Sequence, residues 1–210
     1  MDQFSSKPII IIISGPSGSG KKTLIDHIVS NFPEIERVPT YTTRSPRKGE
    51  VANIDYVYIS EDHFNELRQS GEIFEFTKTY GDYYYGSPKR YLDTTDHQTI
   101  ITELDYKGMF RVRSASNRNV ISIFIAPPPL NELEKRIKTR STETNLTDRL
   151  TIVSEQMQFA WSYDYVLFNI DKQQFLNEAT HVVQSELIKM KGFNKLLTDR
   201  ESYDHTLIKR

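Results

Sequence analysis

Residues 15–23 read GPSGSGKKT. Four residues separate Gly15 from the Gly20-Lys21 pair, which is the spacing of a phosphate-wrapping loop. Glycines let the backbone fold back so that successive N–H groups point at one anion. A helix starting at the loop's end adds its positive N-terminus. Lys21 then reaches the β- and γ-phosphates of a bound triphosphate. Gly15, Pro16, Ser17, Gly18, Ser19, Gly20, Lys21, Lys22 and Thr23 are therefore candidate donor-phosphate residues.

One position breaks the pattern. The residue after the lysine ordinarily carries a hydroxyl that ligates Mg²⁺; here it is Lys22, and the hydroxyl comes one residue later at Thr23. An ammonium cannot ligate a metal, and two cations ~4 Å apart repel by up to about 4 kcal/mol at an effective dielectric of 20. Three outcomes stay open. Lys22 turns to solvent while a water fills the ligand position, or Lys22 touches phosphate itself, or the metal site is degraded.

A second cluster lies downstream. Residues 40–50 read TYTTRSPRKGE, and Asp55-Tyr56 follow. Arg44 and Arg47 flank Pro46, whose fixed φ lets two guanidinium groups converge on one dianion. Tyr56 offers a phenol to the same target. Residues 81–88 read GDYYYGSP, Glu75 stands just before them, and residues 103–108 read ELDYKG.

These residues need a scaffold. Residues 9–13 are consecutive isoleucines without polar alternation, as expected of a strand covered on both faces. Residues 99–104, 120–126 and 165–170 predict three more buried strands. Leu24, Ile25, Ile28 and Val29 mark a helix ending before Pro33, and residues 130–138, 150–161 and 175–190 read as further helices. Alternating strands and helices predict a parallel α/β sheet. Residues 37–91, rich in Thr, Tyr, Arg, Gly and Pro, predict a small, mostly β insertion with period-2 stretches at 56–59 and 73–77. Residues 139–149 read as a polar loop, and residues 191–210 as a weakly patterned tail.

Composition narrows the class. The 210 residues carry 27 Lys plus Arg against 28 Asp plus Glu, a formal charge of −1, which excludes a strongly basic nucleic-acid binder or polybasic anchor. Cysteine is absent, which removes disulfides, thiolate zinc sites and cysteine nucleophiles. The opening residues are polar, and the apolar run behind them falls far short of the ~20 residues that span a bilayer. A cytoplasmic protein without nucleic-acid or membrane partners is expected.

Taken together, GPSGSGK, TTRSPRKGE, the Glu75 strand, YYGS, LDYKG, FIAPPP, and RSTET with a later Arg-Leu resemble the guanylate kinases of the P-loop nucleoside monophosphate kinase group, over roughly residues 8–190. The resemblance implies an α/β fold: a P-loop NTPase parallel-sheet core flanked by helices (1–36, 92–133 and 155–190), a mostly β GMP-binding insertion (37–91) and a helical lid (134–154), with 191–210 outside it. It implies transfer of phosphate from ATP to GMP or dGMP with Mg²⁺. Arg44, Arg47, Tyr56 and Tyr85 match residues that grip the GMP phosphate. Glu75 and Asp105 match carboxylates that accept from guanine, and Thr40 and Ser87 match hydroxyls at its acceptor edge. Arg136, Arg140 and Arg149 match lid arginines, and Asn169 matches an asparagine near the ATP adenine. With Lys21 and Arg44, the lid arginines form the implied catalytic set; Glu103 and Thr23 are the implied metal residues.

Several positions depart from the family. Thr40 replaces a serine, Tyr41 a small hydroxyl residue, and Glu103 an aspartate. A third tyrosine precedes Gly86, so Tyr85 is chosen over Tyr84 by anchoring at that glycine, and the lid is a couple of residues short. Lys22 and Glu103 are expected to pair across the metal site. Two other readings remain: a silent guanylate kinase-like binding module, and a kinase of another nucleotide or a sugar phosphate. The sequence does not decide between a monomer and a homo-oligomer.

Overall fold

A computed structural model describes residues 8–78, 82–93, 98–129, 132–133 and 146–198. Its central strand is β1 (Ile9–Ser14), buried at every position. β-Branched side chains fit a pleated surface, and successive ones point to opposite faces. Ile9, Ile11 and Ile13 enter one core with Leu24, Ile25, Ile28, Phe175, Ala179 and Val183. Ile10 and Ile12 enter the other with Val38, Tyr91, Met109, Val112 and Phe124. Five uninterrupted isoleucines are thus the signature of a strand with helices above and below.

The first core is supplied by α1 (Lys21–Asn31) and the long C-terminal helix, whose first residue is Lys172; the second by α3 (Tyr106–Ala115). The sheet runs β2 (Ile35–Arg37), β7 (Thr99–Glu103), β1, β8 (Asn119–Ala126), β9 (Tyr165–Phe168), with every pairing parallel. The loops after β1 and β7 therefore open on the same edge, where ligands of parallel sheets bind.

The insertion forms its own four-stranded sheet. Its order is β4 (Tyr56–Tyr58), β3 (Thr40–Thr42), β6 (Tyr84–Pro88), β5 (Ile73–Lys78), antiparallel except for β3 with β4. It also contains α2 (Glu61–Gln69), whose N-cap Ser60 accepts a bond from the His63 amide. Phe64 of α2 is fully buried, stacks on Tyr84 at 5.3 Å and meets Phe76 edge-on at 6.2 Å.

Helices α2 and α3 were not among the expected elements, although both begin with a readable cap: Ser60 ahead of Glu61 and Asp62, and Asp105 ahead of α3. The helix predicted over 150–161 is α4 (Leu146–Gln158), which starts earlier and ends before a short 3₁₀ turn at Ala160–Ser162. The last helix, α5 (Lys172–Thr198), continues eight residues into the expected tail. Its inward residues Ala179, Val183 and Leu187 pack on the core. A helix nucleated on such a face extends at little cost per residue. Of the helix predicted over 130–138, only 132–133 are described.

Gly86 sets how closely β6 approaches α2. A Cβ there would lie 2.7 Å from Ile73 Cγ2 and 2.9 Å from Phe64 Cζ. Gly86→Ala should therefore cost about 1–3 kcal/mol and lower the Tm by several degrees in thermal unfolding; an unchanged Tm would mean that Phe64 withdraws freely.

Candidate functional site

The loop between β1 and α1 holds the first candidate cluster. Gly20, the N-cap of α1, has φ +108°, a conformation glycine adopts without strain. A Cβ there would also collide with Asn169 Nδ2 at 2.3 Å. That amide donates to Ser19 O at 2.7 Å, so Asn169 braces the phosphate loop from the end of β9. Ser19 Oγ is buried and unpartnered among the described residues. Lys21 Nζ donates to Gly15 O at 2.6 Å and Pro16 O at 3.1 Å, and it lies 3.5 Å from Glu103 Oε1. Thr23 stands half-buried in the first turn of α1.

Lys22 and Glu103 do not pair. Lys22 Nζ rests on Asp55 Oδ1 at 2.5 Å, whereas Glu103 Oε1 accepts from Tyr56 Oη at 3.2 Å and faces Lys21. Successive helical residues diverge by about 100°, so of two adjacent lysines only one aims into the cradle. The other finds the buried Asp55, whose side chain is 2% exposed.

The second cluster surrounds Arg44, which is 6% exposed. Glu50 brackets its guanidinium with two 3.0 Å bonds, Ser45 O accepts at 2.7 Å, and Tyr85 Oη accepts from Nε at 2.9 Å. Burial alone would lower the pKa of Arg44, but the bonds to Glu50 and Tyr85 outweigh it and hold the guanidinium charged. Burial would raise Glu50, but Arg44, the Arg47 amide and Tyr58 together hold it below the usual carboxylate range. Arg44 also lies over the Tyr56 ring, 5.3 Å from its centroid, and Tyr85 meets Tyr56 edge-on at 5.7 Å. Tyr84, by contrast, packs into the insertion's core on Phe64. Arg47 is exposed, and its amide donates to Glu50 at 2.7 Å. Burial, then the charge of Glu103, pushes the Tyr56 phenol well up, so it remains a hydrogen-bond donor.

A third cluster centres on Glu75, which is 7% exposed. Ser87 Oγ donates to its Oε1, and Arg111 Nη1 donates to its Oε2 at 3.2 Å. Asp105 caps α3 by accepting from the Gly108 amide at 2.7 Å. The point where a Gly108 Cβ would stand is 3.3 Å from Glu75 Oε1 and 3.4 Å from Asp105 Oδ1, so the two carboxylates share one small space. Burial pushes the Glu75 pKa up and Asp105 adds to it, while Ser87 and Arg111 oppose the rise. Thr40 is buried in β3, paired with Tyr56.

Arg136 and Arg140 lie outside the described residues, as does the side chain of Arg149 in α4. Three residues of these clusters carry no obvious signal in the sequence. Glu50 sits inside a stretch where the arginines draw the eye. Arg111 is 36 positions from Glu75, and Arg37, which donates to Asp55 at 2.7 Å, stands in a three-residue strand without a motif.

Comparison with known proteins gives the family. The family model described as guanylate kinase matches residues 5–188. A guanylate kinase of Malacoplasma penetrans is 33% identical over 200 residues, covering 91% of this chain and all of that one. That of Rickettsia prowazekii is 35% identical over 191 residues, covering 89% of this chain and 96% of the relative. The crystal structure of guanylate kinase from Anaplasma phagocytophilum superposes with a TM-score of 0.69 at 27% identity, covering 87% of each chain. With that family model matched over most of its length and these relatives above 30% identity, the chain belongs to the guanylate kinase family.

Proposed function

We propose that the protein transfers the terminal phosphoryl group of ATP to GMP or dGMP. The observation that carries this reading is one carboxylate: Glu103 Oε1 lies 3.2 Å from the Tyr56 hydroxyl and 3.5 Å from Lys21 Nζ. The phenol of the acceptor cluster and the lysine of the donor loop thus meet at a single point. The core segments (1–36, 92–133, 155–190) hold ATP, residues 37–91 hold GMP, and 134–154 act as lid.

Among its described contacts, Arg44 uses four of its five N–H groups, leaving one Nη2 hydrogen for an acceptor phosphate. Arg47, Tyr56 and Tyr85 complete that grip. Glu75 and Asp105 accept from guanine N1–H and the exocyclic amine, with Ser87 and Thr40 at its acceptor edge. Adenine lacks both donors and would leave the two carboxylates unsatisfied, which makes the pocket selective. The acceptor phosphate is already ionised, so no general base is needed; catalysis is positioning and neutralisation of charge. Lys21 and the loop amides hold the donor phosphates, and Arg136, Arg140 and Arg149 close over the transferred group and exclude water. Asn169 supports ATP indirectly, by bracing Ser19.

Mg²⁺ fits this site. Glu103 and Thr23 would hold it through the hard oxygens it takes, and the adjacent ammonium of Lys22 is neutralised on Asp55. Bound there, the ion would supply charge compensation to the donor phosphates.

ADP formation with ATP and Mg²⁺ should depend on GMP or dGMP within a panel of nucleoside monophosphates, and Lys21→Met or Arg44→Met should lower kcat/KM by about 10²–10³. Turnover with another acceptor alone, or binding of GMP without turnover, would replace this reading. The Glu75 pocket gives a pH test. Guanine N1–H requires ionised Glu75, and burial raises that pKa, so GMP affinity should fall on acidification sooner than for an ordinary carboxylate. Removing a neighbouring cation raises it further. Arg111→Gln should shift the acid limb of kcat/KM for GMP to higher pH, and Arg111→Lys should restore it. An unshifted limb would remove Arg111 from the pocket's chemistry.

A further inference from the structure

The position that breaks the phosphate-loop pattern is bound into a closed ring of four charges. Lys22 and Asp26 are one turn apart on α1, with Nζ 3.5 Å from Asp26 Oδ2. Lys22 Nζ lies 2.5 Å from Asp55 Oδ1. Arg37, closing β2, reaches both anions, with Nη1 2.7 Å from Asp26 Oδ1 and Nη2 2.7 Å from Asp55 Oδ1. Each cation touches each anion, and the formal charges cancel. The ring joins three parts of the chain: the helix that follows the donor loop, the edge strand of the central sheet, and the turn that leads into the acceptor strand β4.

That turn hangs on Asp55. Its Oδ2 accepts from the Val51 amide at 2.7 Å and its own amide donates to Val51 O at 2.9 Å. Asn53, in the left-handed region at φ 63°, donates its amide to Tyr56 O at 2.9 Å. The carboxylate is 2% exposed, whereas Lys22 is 39% and Asp26 49% exposed. The buried member therefore draws the two cations in, since a buried anion without partners is costly. The next residue is Tyr56, whose hydroxyl sits on Glu103 beside Lys21.

We propose that Lys22 is a positioning residue for the GMP side of the site: it ties α1 to Asp55 and through the 51–56 turn sets Tyr56 at the junction with Lys21. The position that elsewhere supplies a metal-ligating hydroxyl is used here to fasten the acceptor insertion to the donor helix. The inference rests on the guanylate kinase reading of the site.

The test uses the full chain with Lys22→Met, Lys22→Ser, Lys22→Arg, Asp55→Asn and the Lys22→Met/Asp55→Asn double variant. KM for GMP, KM for ATP, half-saturating Mg²⁺ and the calorimetric Kd for GMP are measured. Lys22→Met and Asp55→Asn should each raise KM and Kd for GMP by about five- to tenfold, with KM for ATP within about twofold of the parent. Lys22→Arg should recover most of the loss, and the double variant should be no worse than the worse single variant. Additive effects overturn the proposal. So does a rise in KM for ATP instead, which would make Lys22 a phosphate contact. A Lys22→Ser variant with lower half-saturating Mg²⁺ and unchanged KM for GMP also overturns it, since Lys22 would then be a displaced metal ligand. A lowered Tm without selectivity for GMP reduces the ring to a structural brace and overturns it too. If the parent binds GMP but does not turn it over, the kinase reading fails while the same Kd comparisons still decide the ring. If it does neither, both fail.

Discussion

A cation held out of water has to face an anion, and among the described residues Arg44, Lys21, Lys22 and Arg37 meet that condition before any nucleotide arrives. Arg44 is bracketed by Glu50, Lys21 is held by loop carbonyls with Glu103 nearby, and Lys22 and Arg37 share Asp55. Arg111 does the reverse service for the buried Glu75. Without these partners the charged forms would be disfavoured by desolvation. The pairing explains how a chain with a formal charge of −1 can present several cations to polyanionic substrates. Positive charge is local and matched by carboxylates a few ångströms away, so the average over the molecule stays near zero.

Topology decides where those matched pairs lie. β1 ends in the phosphate loop and β7, its parallel neighbour, ends in Glu103, in register with Ile13. A parallel pair delivers both strand ends to the same edge, which an antiparallel pair cannot do. β2, beside β7, brings Arg37 to that edge and continues into the insertion that carries Arg44 and Tyr56. Loop, carboxylate and acceptor phenol are thus neighbours because three adjacent strands run the same way.

What was legible in the sequence was what is local. The phosphate loop declares itself within nine residues because its spacing is its mechanism, and the five isoleucines of β1 declare a doubly covered strand. The residue types around Arg44, Glu75 and Ser87 were readable as a set through their family resemblance. The partners were not. Lys22 meets Asp55 across 33 positions and Arg44 meets Tyr85 across 41, and no spacing rule links residues that only the fold brings together. That is why Lys22 was expected on Glu103: both depart from the same family pattern, but the direction in which a helix points its second residue fixed the outcome. The same limit hid α2, since its capped, nine-residue span lies within a segment whose Thr and Tyr content argues for strands.

The two arginines of the acceptor cluster illustrate how such pairing shapes binding. Arg44 is fixed by Glu50, Tyr85 and Ser45, so it loses little rotamer freedom when a phosphate arrives and offers its remaining N–H in a set direction. Arg47 is exposed, and ordering such a side chain costs up to about 2 kcal/mol of entropy. Glu50 engages both, through the guanidinium of Arg44 and the amide of Arg47, so one carboxylate orients the fixed arginine and anchors the backbone of the other. A phosphate that displaced Glu50 would strand a part-buried carboxylate, whereas one that takes the free Nη2 hydrogen leaves the bracket whole. The fixed arginine thus sets the direction of approach, and the exposed one adds charge once the phosphate is in place.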